Sequence, residues 1–307
     1  MQISTVISRS LMGVILIFSS CERKSPEKAT NLSSAQIKSI MESVHDPREG
    51  GGKVNYAKEI SKDSLISEWV FDKKGNVVNE KKYNSRGALI AQSIYRYDKR
   101  DHLIEVKAYH FKNLFRKTIN KFDSQERLIE TQTVDDHNEL KEQKKVSFDD
   151  NGYRIERNYK LIGKDLSLEQ EHFYNSKGSN TENRSFSNGK LLFTELNDFD
   201  KQGNRVECIR SSNSGKEDFV IQFKYDKLNR NIETVRLNNS FMMQSRLIYR
   251  YDEHNNRIES FSYGTTGKLR EQITWIYEYD ETGNWIRKTT LVGNHPLSVT
   301  VRDIIYY

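Results

Sequence analysis

Apolar and polar residues alternate along most of this chain, and the alternation restarts at a nearly constant interval. Each restart is marked by an aromatic residue followed by an acid or amide. The pairs are Phe71-Asp72, Tyr97-Asp98, Phe122-Asp123, Phe148-Asp149, Tyr174-Asn175, Phe199-Asp200, Tyr225-Asp226, Tyr251-Asp252 and Tyr279-Asp280. Successive intervals are 26, 25, 26, 26, 25, 26, 26 and 28 residues. A period of this length marks a repeat architecture.

The positions around each pair predict a β-hairpin. Three residues after the acid stand Gly75, Asp101, Glu126, Gly152, Gly178, Gly203, Asn229, Asn255 and Gly283. All but Glu126 are residue types that tolerate positive φ. The acid itself can accept hydrogen bonds from backbone N–H groups just ahead of it, so Asp-x-x-Gly-Asn is a turn with a mechanism. Six residues after the acid, Val78, Ile104, Ile129, Ile155, Thr181, Val206, Ile232, Ile258 and Ile286 are all β-branched, as a pleated, half-buried strand prefers. The next residue is Glu in seven units: Glu105, Glu130, Glu156, Glu182, Glu207, Glu233 and Glu259. Neighbours on a strand face opposite ways. The β-branched column is therefore expected inside and the Glu column in water.

The strand before the turn has the same period of two. Trp69, Tyr95, Val146, Phe223, Tyr249 and Tyr277 stand three before the acid, and Leu89, Leu114, Leu140, Leu166, Leu191 and Met243 stand at or next to nine before it. Polar residues such as Arg96, Lys121, Lys224 and Arg250 lie between the two rings. A second, weaker turn closes each unit, as in Ser187-Asn188-Gly189 and Gly264-Thr265-Thr266-Gly267. Nine units of two strands predict an all-β fold: a curled antiparallel meander of about eighteen strands built from tandem 26-residue hairpin repeats. An open twisted sheet rarely exceeds about ten strands, so curling or partial closure is expected.

At this level the motif becomes specific. Tyr279-Asp280-Glu281-Thr282-Gly283-Asn284-Trp285-Ile286 resembles the YD repeat of the Rhs family, as do Phe71-Asp72-Lys73-Lys74-Gly75-Asn76 and Phe199-Asp200-Lys201-Gln202-Gly203-Asn204. The resemblance covers roughly residues 65–290. It implies curled β-sheets, which in that family form hollow shells around toxic cargo or scaffolds on cell surfaces. This chain is shorter than the toxin members, and neither a toxin domain nor a self-cleaving protease segment is read after the repeats. The expectation is a smaller YD-repeat bacterial lipoprotein.

The N-terminal region sets the expected compartment. Residues 1–20 carry Arg9, an apolar run from Leu11 to Phe18, and Ser19-Ser20 before Cys21. That is the layout of a lipoprotein signal peptide, with Cys21 as the lipidation site and first mature residue. Lipidation holds a protein at a membrane, so an exported bacterial membrane lipoprotein is expected, periplasmic or surface-exposed. Residues 21–52 read as a tether with a short helix, opened by Ser33-Ser34 and carrying Ile37, Ile40, Met41 and Val44 at helical spacing. Such a helix would cover the sheet's open first edge. Residues 53–307 form the repeat domain, 53–70 being a degenerate hairpin leading into it. Cys208 is the other cysteine and reads as a half-buried thiol.

Composition narrows the functions. The net charge is +6, from 49 basic and 43 acidic residues interleaved along the chain, so no basic stripe points to nucleic acid. Charged residues make up 30%, leaving no continuous apolar band for a membrane-spanning barrel. The seven histidines fall at different repeat positions, so no metal or cofactor is expected. The repeated Asp lacks the oxygen-dense spacing of a calcium loop. No nucleophile elbow or phosphate loop is present, and the Glu column continues the repeat where a catalytic pair would break it. The chain is therefore not expected to be an enzyme. Aromatic rows suit sugar rings or extended peptides, and Trp69, Tyr95, Tyr249 and Tyr277 are the candidate binding column. The expected function is a membrane-anchored binding or scaffold module for glycan or protein at the cell envelope. A passive envelope scaffold and a carbohydrate hydrolase are the alternatives.

Overall fold

The computed structural model describes residues 37–45, 66–84, 86–212, 214 and 218–307. Twenty strands make one antiparallel sheet. They are β1 (Ile37–His45), β2 (Ile66–Phe71), β3 (Val77–Tyr83), β4 (Leu89–Tyr97), β5 (Leu103–His110), β6 (Asn113–Phe122), β7 (Leu128–Val134), β8 (Leu140–Phe148), β9 (Arg154–Ile162) and β10 (Asp165–Tyr174). The second half is β11 (Asn180–Ser187), β12 (Lys190–Phe199), β13 (Arg205–Ser212), β14 (Phe219–Tyr225), β15 (Asn231–Asn238), β16 (Met243–Tyr251), β17 (Arg257–Tyr263), β18 (Leu269–Tyr279), β19 (Trp285–Val292) and β20 (His295–Tyr306). Each strand pairs with its neighbours in sequence, and β1 pairs with both β2 and β20. The meander is thus a closed barrel of twenty strands, where about eighteen in a curled sheet were expected. At about 4.8 Å per strand the circumference is about 95 Å and the diameter about 30 Å before strand tilt is added.

The expected N-terminal helix is corrected in part. Its start at Ser33-Ser34 lies outside the described residues, as does Cys21 with the whole signal segment. Its apolar positions Ile37, Ile40, Met41 and Val44 lie in β1, a strand. The physical reason is tertiary. β2 and β20 each offer a row of unpaired backbone groups, and β1 satisfies both at once, from Ile37↔Tyr306 to His45↔Val299 on one side and from Ser39↔Val70 to Ser43↔Ile66 on the other. Ile37 and Ile40 become buried. The Glu42–Arg302 ion pair (2.8 Å) and the Arg302 guanidinium, 3.4 Å from the centre of the Trp285 ring, hold the closure. So does the Tyr307 hydroxyl, which donates to the Phe71 carbonyl at 2.6 Å.

The nine Asp or Asn turns share one geometry. In the Asp226 turn, the Asp226 N–H donates to the Arg230 carbonyl and the Asn229 N–H to the Asp226 carbonyl, both at 3.0 Å. The Asp226 carboxylate accepts from the N–H groups of Leu228 (2.9 Å) and Arg230 (3.0 Å). The Asn175 amide oxygen accepts the corresponding pair at 3.0 Å. The third residue after the acid has positive φ in every unit, including Glu126 (φ 66) and Asp101 (φ 66). This is the three-residue hairpin loop with a bulge at its αL residue. A register shift just beyond the loop, as between Tyr225↔Asn231 and Lys224↔Glu233, sets the faces. Lys121↔Glu130, Lys224↔Glu233 and Arg250↔Glu259 are opposed across their hairpins and ion-paired at 2.6, 2.7 and 2.8 Å. Phe223↔Thr234 and Tyr249↔Ser260 occupy the other face.

Exposure shows which face is inside. The side chains of Arg96, Lys224 and Arg250 are 64%, 70% and 65% exposed. On the aromatic face, Cys208, Phe219, Thr234 and Glu195 are buried. Side chains converge on the concave side of a closed sheet and splay on the convex side, so the aromatic face is lumenal. Rings there tie one unit to the one before. The hydroxyls of Tyr97, Tyr225, Tyr251 and Tyr277 donate to the carbonyls of Val77, Arg205, Asn231 and Arg257, at 2.9, 2.9, 2.7 and 3.2 Å. Each of these bonds spans twenty residues in sequence. Side chains leaving one turn cover the next unit's ring, as His102 does Phe122, Arg127 Phe148 and Arg230 Tyr251. Such nearest-neighbour contacts are what stabilise a repeat array. Cys208 is fully buried against Phe219, Ile221 and Phe223, deeper than the half-buried position expected.

Candidate functional site

The candidate column is half-buried throughout: Trp69, Tyr95, Tyr249 and Tyr277 are neither open platforms nor sealed core. Trp69 on β2 and Tyr95 on β4 fall on one arc with Tyr249 on β16 and Tyr277 on β18, because closure through β1 joins the two ends of the array. Their faces are largely occupied. The Tyr95 hydroxyl donates to Glu80 at 3.0 Å; burial, reinforced by the Glu80 charge, pushes its pKa up to about 12. Arg257 lies 3.8 Å from the centre of the Tyr249 ring. Tyr277 stacks near Tyr279 and meets Trp285 edge-on.

A hollow of about 620 Å³ beside the Asp252 turn includes Tyr277 in its lining, but the lumenal recess lies elsewhere, on the aromatic face of β10 to β13. Its volume is about 370 Å³, and its lining includes His172, Tyr174, Asn183, Phe193, Asn197 and Phe199. This region is built by departures from the repeat. Beyond the turn, eight of the nine hairpins carry a second bulge, a register shift such as that between Tyr225↔Asn231 and Lys224↔Glu233; the β8–β9 hairpin keeps the αL loop but has no such shift. There Val146 opposes Glu156, and Ser147 opposes Ile155. A one-residue slip turns every side chain over, so Glu156 enters the lumen while the other six glutamates of its column keep the outer face. Glu156 is buried beside Arg154 (2.5 Å), Lys144 (3.6 Å) and the Tyr174 hydroxyl (3.3 Å).

From Glu156 a polar row crosses the strands through the cross-strand partners Glu156↔His172, His172↔Asn183, Asn183↔Glu195 and Glu195↔Arg210. The His172 Nδ1–H donates to Asn183 Oδ1 at 2.6 Å, and its Nε2 accepts from Asn158 Nδ2 at 3.1 Å. Both ring nitrogens are thereby used. Asn197 Nδ2 donates to the Asn180 carbonyl and side-chain oxygen at 3.1 Å. Arg210 donates twice to Glu195, at 2.9 and 2.6 Å, and faces the rings of Phe193 and Phe219. The recess therefore combines ring faces with amide, imidazole and carboxylate groups held in fixed orientations.

Glu80, opposite Trp69, also lies on the aromatic face, but the carboxylates of this row are Glu156 and Glu195. Three strand spacings separate them, about 14 Å, beyond the roughly 5–9.5 Å of a glycosidase pair. Sequence reasoning passed over the recess because it looked for aromatic columns. The usable signals were the polar residues His172, Asn183 and Asn197, together with Asn175 in place of Asp.

No protein-family model matches the chain, and no curated protein matches it. Among solved structures it is similar to the crystal structure of TcdB2-TccC3-Cdc42, with 13% identity over 88% of this chain and a TM-score of 0.38. It is also similar to TcdB2-TccC3, with 13% identity over 85% of this chain and a TM-score of 0.36. The chain spans only 17% and 16% of the length of those two. A porin-like protein from Bacteroides uniformis matches with 8% identity, covering 90% of this chain and 98% of that one, with a TM-score of 0.25. No residue's role is carried over from any of them.

Proposed function

We propose that this chain is an exported, lipid-anchored YD-repeat barrel that binds a glycan in its lumenal recess at the bacterial cell envelope. The anchor is Cys21, after the signal segment 1–20. The observation that carries the binding role is the lining of the recess: Tyr174, Phe193 and Phe199 offer ring faces, and Asn183, Asn197 and His172 lie among them. A sugar presents C–H faces that stack on rings and hydroxyls that pair with amides, so this mixture suits a saccharide better than an apolar ligand. A catalytic role is not part of the proposal, because Glu156 and Glu195, the carboxylates of the polar row, are about 14 Å apart and each is ion-paired.

Glycan-array screening of the Cys21→Ser chain tests the reading. Binding is expected, and Asn183→Leu should reduce it by about tenfold or more, the loss of one or two hydrogen bonds, while the circular dichroism spectrum of the barrel is retained. A blank array together with a co-purifying polypeptide would replace glycan with protein as the ligand. Retained binding in Asn183→Leu would remove the recess from the proposal.

A further inference from the structure

The barrel has two rims of opposite character. The nine Asp or Asn turns lie on one, and the second turns among the described residues on the other. At the acid-turn rim, the exposed large apolar residues among those described are Tyr153, Leu228 and Tyr307. At or beside the second turns, Phe111, Phe115, Ile162, Leu192, Phe241 and Met242 are all exposed, Phe241 at 70% and Phe111 at 58%.

Two of these phenylalanines are also strained. Phe111 has φ 47 and Phe241 has φ 59, in the left-handed region that bulky residues avoid. Equivalent positions in sister turns hold residues that fit. Asn188 (φ 48) takes the place of Phe111 in its two-residue turn, and Gly87, Asn138 and Gly267 take that of Phe241. The backbone conformation therefore does not call for phenylalanine, and both rings stay mostly exposed, Phe111 meeting only the His110 ring edge-on. A residue that is both strained and exposed points to a contact outside the molecule.

Position narrows the partner. The β5–β6 and β15–β16 turns are ten strands apart in either direction round the ring, so they lie about 30 Å apart across the mouth. A small ligand or a single extended peptide does not bridge them; a flat surface does. Exposed Lys112 shares the turn of Phe111, and exposed Lys164, Lys190 and Lys268 stand at other tips of the same rim. Arg116 lies over Phe115 at 5.2 Å. Acidic tips concentrate in one turn, Asp135, Asp136 and Glu139, two of which pair with Lys141, with exposed Asp165 beside Lys164. Aromatic and thioether side chains flanked by lysines match the interface of an anionic bilayer.

We propose that this rim docks on a phospholipid surface carrying anionic headgroups. Phe111, Phe115, Phe241 and Met242 enter the headgroup layer while the lysines lie over phosphates. The contact is made by the barrel itself and is separate from the anchor at Cys21.

Vesicle flotation with the Cys21→Ser chain tests it, using phosphatidylcholine vesicles with and without phosphatidylglycerol. Flotation is expected with the anionic vesicles, weakening with added salt. The double variant Phe111→Asn, Phe241→Gly should lower partitioning by about tenfold or more. Both replacements suit a left-handed backbone, so a retained or raised melting temperature confirms an intact barrel. A wild-type chain that does not float would overturn the proposal, and so would a double variant that floats equally well. Self-association abolished by the double variant, with no vesicle binding, would assign the rim to a second copy of the chain instead.

Discussion

The acid-turn rim and the second-turn rim each close a row of hairpins, yet they follow different rules. The first uses one loop nine times: a carboxylate or amide accepts from backbone N–H groups, and one αL residue makes the bulge. The second mixes two-residue turns at Phe111-Lys112, Gly163-Lys164, Asn188-Gly189 and Gly293-Asn294 with three-residue loops ending at Gly87, Asn138, Phe241 and Gly267. The acid rim also ties turn to turn, through Lys74–Asp101 (2.7 Å) and through Arg100–Glu126. Regularity marks the side that sets strand register and faces. Irregularity on the other side admits bulky, strained and exposed residues, because register has already been established across the barrel.

Acid should break this comparison most strongly. Six carboxylates of the acid rim lie below the usual range. The backbone N–H of His102 lowers Asp98, that of Arg127 lowers Asp123, and the Asn204 side chain lowers Asp200. In Asp72, Asp226 and Asp280 partial burial pushes upward, but hydrogen bonds outweigh it. A carboxylate with a depressed folded pKa contributes stability above its unfolded value and loses it as the pH falls through the folded one. Denaturant midpoints should therefore hold at neutral pH and decline below about pH 4. A decline centred near about pH 6 would move the sensitivity to histidine and refute the role given to the acid rim.

A single substitution at that rim should cost less than full acidification, yet more than any at the other rim. Asp280 accepts from the N–H groups of Thr282 and Asn284 and from the hydroxyls of Thr282 and Tyr306. Asp280→Ala should destabilise by about 2–3 kcal/mol in equilibrium unfolding. Asp280→Asn should cost clearly less, because Asn175 already serves one turn as an amide. Equal losses for the two variants would show that charge, and not the acceptor geometry, is what counts.

The smallest effect carries the opposite sign. Phe241→Gly should stabilise the barrel by about 1 kcal/mol, by relieving an αL phenylalanine that buries little. The mirror change at the acid rim, Asn229→Phe, should destabilise by a similar amount. Thermal or denaturant melts of the pair would sharpen the contrast between rims, and a loss of stability in Phe241→Gly would mean that the ring packs against the chain after all.

Most of the hairpin was legible in the residues. The αL position of every acid turn, the inward rings and the cross-strand Lys/Arg–Glu pairs follow from spacings that recur nine times, since each is a local demand of one turn and two strands. Trp69, Tyr95, Tyr249 and Tyr277 were placed on the correct face but not with the recess. The recess depends on Glu156 turning inward, and that follows from a bulge missing in one hairpin, a feature no residue type there announces. Helical spacing of Ile37, Ile40, Met41 and Val44 was likewise a true local pattern with the wrong outcome.

Local chemistry therefore settled the repeat, its turns and its two faces, because those depend on contacts within one unit and its neighbour. Closure into a ring, the strand state of β1, the lumenal polar row and the separation of the two phenylalanine turns arose from long-range pairing. Two distant sheet edges had to meet a third segment before any of them existed, and hydrogen-bonding groups left open at those edges supplied the reason.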